Sequence, residues 1–71
     1  MSTVERQRLE RAQADVERVE RDAQERVRKA RAKRDAEILR AVGNGASISD
    51  VARTLGMTRE GIYAALRRAR E

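Results

Sequence analysis

Hydrophobic and polar residues follow a helical period on both sides of Gly56, in the stretch DVARTLGMTREGIYAAL. The pattern predicts a short helix from Ile48 to Leu55 and a second from Arg59 to about Arg70. Their inward faces are Val51, Ala52 and Leu55 in the first, and Ile62, Ala65, Leu66 and Ala69 in the second. Gly56 accepts the positive φ that ends a helix, so a sharp turn between the two is expected.

Short polar residues before each of these helices predict the N-terminal caps. Ser47 stands three residues before Asp50, which is the capping-box spacing with Asp in place of Glu, and Ser49 is the alternative cap. Thr58 is placed to cap the second helix. Met57 is apolar and is expected to fill the corner between the two helices.

Nothing between Thr3 and Val42 interrupts a helix, because this segment has no Pro or Gly and consists mostly of strong helix formers. Ser2 or Thr3 is expected to cap its start, and the Gly-Asn-Gly segment 43–45 to end it. A helix of about 40 residues is about 60 Å long. Such a helix is too long to pack along its whole extent against the short remainder of the chain.

An apolar stripe of small side chains runs along this long helix and predicts a partner for it. Two series recur every 11 residues: Val16, Val27 and Ile38, and Val19, Ala30 and Ala41. That period predicts a nearly straight or slightly right-handed supercoil, weakened where Arg34 interrupts it. We define the apolar stripe as the predicted dimerisation residues Leu9, Ala12, Val16, Val19, Ala23, Val27 and Ala30. A homodimer is the leading interpretation; a solitary helix or a different partner, and parallel or antiparallel pairing, stay open.

The positive net charge of the chain favours a polyanionic partner. The chain has 17 Lys and Arg against 12 Asp and Glu, a net charge of +5. Six of the nine residues from Arg26 to Arg34 are basic and none is acidic, which fits either a solvated face or phosphate contacts. No apolar run is long enough for a signal peptide or a membrane span, so we expect a cytoplasmic, nucleoid-associated protein with no membrane partner.

The residues that enzymes most often use for catalysis are missing. The chain has no His and no Cys, and its carboxylates show no metal-ligand spacing. Its four glycines do not form a phosphate-binding loop. We therefore expect no enzymatic activity, cofactor, metal or small-molecule ligand.

The two-helix pattern resembles the helix-turn-helix of DNA-binding proteins, with the small Ala52 where the helices cross, Gly56 at the turn, and Ile62 and Ala65 in the second helix. It is most similar to the three-helix DNA-binding end of serine recombinases and of small bacterial and phage regulators, through the pattern sI..vA..lGmt...iY..L. The resemblance covers about residues 36–70. It implies an all-α fold in which a long N-terminal helix (1–36) leads into a helix-turn-helix domain (37–71).

The resemblance also implies roles for the exposed residues, since the second helix of this motif enters the major groove of DNA. The implied base contacts are Thr58, Arg59, Glu60, Tyr63 and Arg67. The implied backbone contacts are Ser47, Arg53, Arg68 and Arg70. Glu60 is equally explained as an acidic residue at a helix N-terminus. Gly61 is expected to bring the backbone close to DNA or to the neighbouring helix.

Two functions follow as hypotheses. The first is a homodimeric, sequence-specific reader of double-stranded DNA that acts as a transcriptional regulator or DNA-organising factor. The second is an adaptor whose long helix binds a protein such as polymerase or a segregation factor, with DNA binding secondary. A helix lying on a membrane surface is disfavoured, because residues 3–42 contain no Trp or Phe.

Overall fold

The computed structural model describes all 71 residues and consists of three helices with no strands. Helix α1 spans Thr3–Gly43, α2 spans Ile48–Leu55 and α3 spans Arg59–Arg70. The predicted all-α class, with one long helix ahead of two short ones, is confirmed. None of the three helices combines the length and apolar character that crossing a membrane requires.

Helix α1 forms a rod that extends well beyond the packed part of the molecule. Ser2 caps its start, and the Ser2 hydroxyl accepts from the Glu5 amide at 3.1 Å. Every residue from Met1 to Lys33 is exposed, and the molecule measures 64 × 20 × 15 Å. The sequence expectation that most of this helix lies apart from the rest of the chain is confirmed.

The end of α1 lies one residue beyond the predicted one, at Gly43 instead of Val42. Gly45 is the residue that takes the left-handed conformation, with φ at 101°. Its amide donates to the Val42 carbonyl, and the next amide, that of Ala46, donates to the Ala41 carbonyl, both at 3.0 Å. This bonding is a Schellman motif, which satisfies carbonyls that the helix end would leave free.

The corner between α2 and α3 is a second Schellman motif. Gly56 has φ at 66°, and its amide donates to Arg53, while the Met57 amide donates to the Ala52 carbonyl at 2.9 Å. The predicted caps are in place on both sides. Ser47 accepts from the Asp50 amide at 3.1 Å, and Thr58 accepts from the Gly61 amide at 3.0 Å.

Six buried apolar residues form the core where the last turns of α1 meet the two short helices: Ile38, Val51, Ala52, Ile62, Ala65 and Leu66. Leu39, Val42 and Met57 are partly buried against them, and Met57 lies at the corner as the sequence predicts. The sequence pattern predicts Leu55 on the inward face of α2, and this is wrong, because Leu55 is 42% exposed. It ends α2, where the chain turns away before α3 can cover it.

Helical spacing predicts three i,i+4 ion pairs along the exposed rod, Glu17–Arg21, Asp22–Arg26 and Glu25–Lys29. The structure forms only part of this pattern. Glu25–Lys29 is present at 4.0 Å, and Glu25 also pairs with Arg28. The predicted pairs Glu17–Arg21 and Asp22–Arg26 are not formed, and the Glu17 carboxylate instead accepts from the side-chain amide of Gln13. Exposed pairs of this kind contribute little to stability, so the difference leaves the fold unaffected.

Gly56 and Gly43 offer a matched test of the turn. Gly56→Ala forces a side chain into the left-handed region, so we expect a loss of about 1 kcal/mol in the free energy of unfolding. Gly43 lies in a helical turn with open space around it, so Gly43→Ala should be neutral or stabilising by up to about 1 kcal/mol. Thermal unfolding followed by circular dichroism compares the two, and equal destabilisation would contradict this account of the turn.

Candidate nucleic-acid interface

Helix α3 has one buried face and one open face, and its sequence period decides which residues occupy each. Ile62, Ala65 and Leu66 are buried against α1 and α2. Arg59, Tyr63 and Arg67 follow each other at four-residue intervals along one side of α3, and all three are exposed. We define the outer face of α3 as the five predicted base-contact residues, all of them exposed: Thr58, Arg59, Glu60, Tyr63 and Arg67.

Arg59 is held in place before any ligand binds. One terminal nitrogen of its guanidinium donates to the Ser49 hydroxyl of α2 at 2.7 Å. A guanidinium has five N–H donors, so the remaining ones are free for a second partner. The bond bridges the first turn of α2 and the first turn of α3, and it limits the rotamers open to Arg59. The sequence identified Ser49 only as an alternative cap, and this contact was missed because it joins residues on different helices.

Gly61 is explained by the turn and needs no ligand. A Cβ at this position would lie 3.2 Å from the Thr58 hydroxyl and 3.4 Å from the terminal methyl of Met57. Glycine therefore leaves room for the cap and for the side chain that fills the corner. These contacts lie within the turn, so they do not show the expected approach to the neighbouring helix, and the approach to DNA stays a prediction.

Tyr63 lies on the open side, 49% exposed, near the middle of α3. Its ring is not part of the core cluster, although it is the only aromatic residue in the chain. Its phenol group can both donate and accept a hydrogen bond. Glu60 is also exposed and lies in the first turn, where a carboxylate is favoured by the helix dipole.

The predicted backbone-contact residues differ from one another in the contacts that they already make within the chain. Ser47 already caps α2, and Arg53 is paired with Asp50 at 3.2 Å on the exposed side of α2. Arg70 is exposed in the last turn of α3. Arg68 differs from all of these, because its partner is buried.

Arg68 is bound to Asp35 of α1, and this pair was not predicted. The Arg68 Nε donates to Asp35 Oδ2 at 2.9 Å, and a terminal nitrogen donates to Oδ1 at 3.5 Å. Asp35 is only 4% exposed and is the single buried charged residue of the chain. The pair fixes the C-terminal half of α3 against α1. Arg68 therefore has a structural role, and its assignment as a phosphate contact stays a prediction.

Arg34 completes this cluster from the same helix. Its guanidinium donates to Asp35 Oδ1 at 3.3 Å. The pKa of Asp35 is lowered, mainly by the hydrogen bond from Arg68 and further by that from Arg34, against an opposing effect of burial. The pKa of Arg68 is correspondingly raised by its bond to Asp35. Arg34 interrupts the 11-residue repeat because α1 at this point changes from a free rod to a packed helix.

The apolar stripe has no partner within the chain. Among its larger members, Leu9 is 60% exposed, Val16 49%, Val19 56% and Val27 48%. Beyond Ala30 the same side of α1 continues as a groove against α2, lined by Arg34, Ile38, Ala41, Val51, Thr54 and Leu55. The stripe and the groove form one continuous surface along the molecule.

Comparison with known proteins adds no assignment. Protein-family models, curated proteins and solved structures contain no significant match to this chain.

Neighbouring arginines separate the structural and surface roles at the end of α3. Arg68→Ala removes the main partner of a buried carboxylate, so we expect a clear fall in the thermal unfolding temperature. Arg67→Ala, one residue earlier on the outer face of α3, should leave that temperature almost unchanged. A fall of the same size in both variants would contradict the separation. Differential scanning fluorimetry or circular dichroism makes the comparison.

Asp35 predicts an acid sensitivity with a defined sign. Its pKa is lower in the folded chain than in the unfolded one, so its contribution to stability is complete above the usual Asp pKa. That contribution is lost as the pH falls through the lowered value. We expect Asp35→Asn to be less stable than the natural chain at pH 7 and to lose less stability below about pH 4.

The control for this prediction is Glu10→Gln, which removes an exposed carboxylate of the rod outside the apolar stripe. Urea unfolding at pH values from neutral to strongly acidic gives the free energy of each variant. Parallel pH profiles for the natural chain and Asp35→Asn would show that the pair does not stabilise the fold.

Proposed function

We propose that this chain is a sequence-specific double-stranded-DNA-binding protein that places α3 in the major groove, as a homodimeric transcriptional regulator or DNA-organising factor of the nucleoid. The observation that carries the proposal is the open face of α3. Arg59, Tyr63 and Arg67 are exposed along one side of a short helix that a three-residue turn joins to α2. A polar and basic helix face of this kind fits the width of the major groove.

The chemistry of the outer face of α3 suits base edges. Arg59 has donors left for a bidentate contact to guanine, and Ser49 already restricts its position. Glu60 is able to accept from the amino group of a cytosine. Tyr63 adds a hydroxyl and a ring edge that can reach a phosphate or a sugar.

Backbone contacts would come from residues around this face. Arg53 and Arg70 are exposed and positively charged, and the Ser47 hydroxyl lies at the start of α2. In helix-turn-helix proteins the first helix of the pair crosses the phosphate backbone, so α2 is the element expected there. Such contacts position the protein and carry no sequence information.

The net charge supports the same partner. A charge of +5 on 71 residues attracts a polyanion over a long range. The last turns of α1 together with α2 and α3 form the packed unit of the molecule. The six basic residues from Arg26 to Arg34 lie on the rod just ahead of this packed unit and remain exposed or half-exposed. They extend the positive surface beyond α3.

The unpartnered apolar stripe favours a second candidate function, an adaptor in which α1 binds a different protein such as polymerase or a segregation factor. Salt separates the two functions. A protein that binds DNA through several Lys and Arg residues loses affinity steeply as salt rises, because counterions must return to the DNA. Binding of an apolar stripe to a protein depends on salt far less.

The direct test is selection of bound duplexes from a random DNA pool at moderate salt. The proposal expects an enriched motif made of two related half-sites, as a two-fold symmetric dimer requires. Absence of any enrichment over the unselected pool would contradict sequence-specific binding. Retention of DNA without enrichment would limit the protein to an architectural role.

The enriched duplex then distinguishes base contacts from backbone contacts. Arg59→Ala should weaken binding by about 1–3 kcal/mol and relax the preference at one position of each half-site. Arg53→Ala is the matched control, because it should weaken all sequences about equally and reduce the salt dependence. Fluorescence anisotropy on the enriched duplex and on single-base variants measures both. Equal effects of both variants on base preference would refute these roles.

A further inference from the structure

The part of the apolar stripe from Val16 to Ala30 is symmetric about Ala23. Val19 and Val27 lie four residues on either side of it, and Val16 and Ala30 lie seven residues on either side. When this segment pairs with a reversed copy of itself, each of its valines and alanines in the stripe meets another member of the stripe. In that arrangement Val16 faces Ala30, Val19 faces Val27, and the two Ala23 residues meet at the symmetry axis.

Charged residues beside the stripe distinguish the two directions of pairing. The first flank consists of Asp15, Asp22, Arg26 and Lys33, at helical spacings along one side of the stripe. The second flank consists of Gln13, Glu20, Gln24 and Arg31 along the other side. All eight side chains are exposed in the single chain.

Antiparallel pairing about a two-fold axis brings the same flank of both helices together. With Ala23 at the axis, Asp22 of each copy lies beside Arg26 of the other, and Asp15 lies beside Lys33. The second flank brings the neutral Gln24 beside Glu20 and the neutral Gln13 beside Arg31. The two Asp22 carboxylates also come near each other at the axis, but each has the Arg26 of the other copy beside it, so the attractive contacts outnumber this single repulsive one.

Parallel pairing brings the first flank of one helix against the second flank of its partner, offset by five residues. Asp15 would then lie beside Glu20, and Arg26 beside Arg31, each twice. The basic run from Arg26 to Arg34 would also lie against its own copy. Like charges at these positions are destabilising, so charge opposes the parallel arrangement.

We propose that a second copy of this chain covers the apolar stripe in an antiparallel two-fold dimer centred on Ala23. This inference rests on the homodimer of the proposed function and gives it a direction and a register. Exposed Leu55 is part of the same assembly. The first turns of the partner helix, including its Leu9, come level with Glu37 and enter the groove that Ile38, Ala41 and Leu55 line.

This dimer has a consequence for the position of the two packed units. The end of α3 lies on the side of the second flank, since one groove is lined jointly by Gln24, Arg31, Arg68 and Ala69. Like flanks meet in the antiparallel pair, so both packed units lie on the same side of the rod. Ile38 is fifteen residues from the axis, which separates the two units by about 45 Å.

Cysteine cross-linking tests direction and register, because the natural chain contains no cysteine. Three single variants are prepared, Val16→Cys, Ala23→Cys and Ala30→Cys, and each is treated without DNA with a short bismaleimide. We expect Ala23→Cys to give a covalent dimer. Val16→Cys alone and Ala30→Cys alone should each give almost none, because the thiols of two identical variants lie about 21 Å apart in the proposed dimer. A mixture of Val16→Cys and Ala30→Cys should give the mixed dimer.

Efficient cross-linking of Val16→Cys to itself would show a parallel dimer and overturn the proposal. Failure of both Ala23→Cys and the mixture to cross-link would overturn the register. Circular dichroism checks that each variant keeps the helical content of the natural chain, and all three positions lie on the exposed rod. The cross-linking reactions contain no DNA. A negative result there therefore bears on the dimer alone, and a negative result in the DNA selection bears on the proposed function.

Discussion

The orientation of α3 on the last turns of α1 is the constraint on which the rest of the molecule depends. Ile62 is completely buried there. Further along α3, the Arg68 guanidinium donates a hydrogen bond to the buried carboxylate of Asp35 on α1. The core has only six buried apolar residues, and a core of this size supplies limited stability and tolerates little displacement. An apolar contact at one end of α3 and an ion pair at the other fix its rotation about its own axis. That rotation leaves Arg59, Tyr63 and Arg67 exposed along one side of the helix.

The exposed rod and the packed unit each leave one surface uncovered within the chain. The packed unit leaves one polar and basic face open, and the rod leaves one apolar stripe open. A single recognition unit buries too little surface for tight, selective DNA binding, so a means of joining two units has direct value. An antiparallel pair of rods would supply it, and the charges beside the stripe favour that direction. Both packed units would then be offered to the same side, related by a two-fold axis like that of a palindromic duplex.

Local signals in the sequence predicted most of the fold. The helix bounds of α2 and α3, the caps Ser47 and Thr58 and the turn at Gly56 depend on neighbouring residues, and the structure confirms them. Contacts between distant positions were not predictable in this way. Asp35 carries no periodic signal, and its pairing with Arg68 depends on how two helices pack across 33 residues of sequence. Leu55 shows that local spacing alone does not ensure burial. Its position fits the inward face of α2, but no helix of the chain lies where it would cover this side chain. The exposure of the outer face of α3 was foreseen, whereas the bond from Arg59 to Ser49 was not.

The claim that the outer face of α3 reads DNA is tested most directly by amide chemical-shift perturbation in solution. The labelled protein is titrated with a duplex enriched from the random pool, and changes are mapped residue by residue. The account predicts the largest changes from Thr58 to Arg67 and at the start of α2, with small changes along residues 9–23 of the rod. Changes concentrated on the rod, with the amides of α3 unmoved, would contradict it.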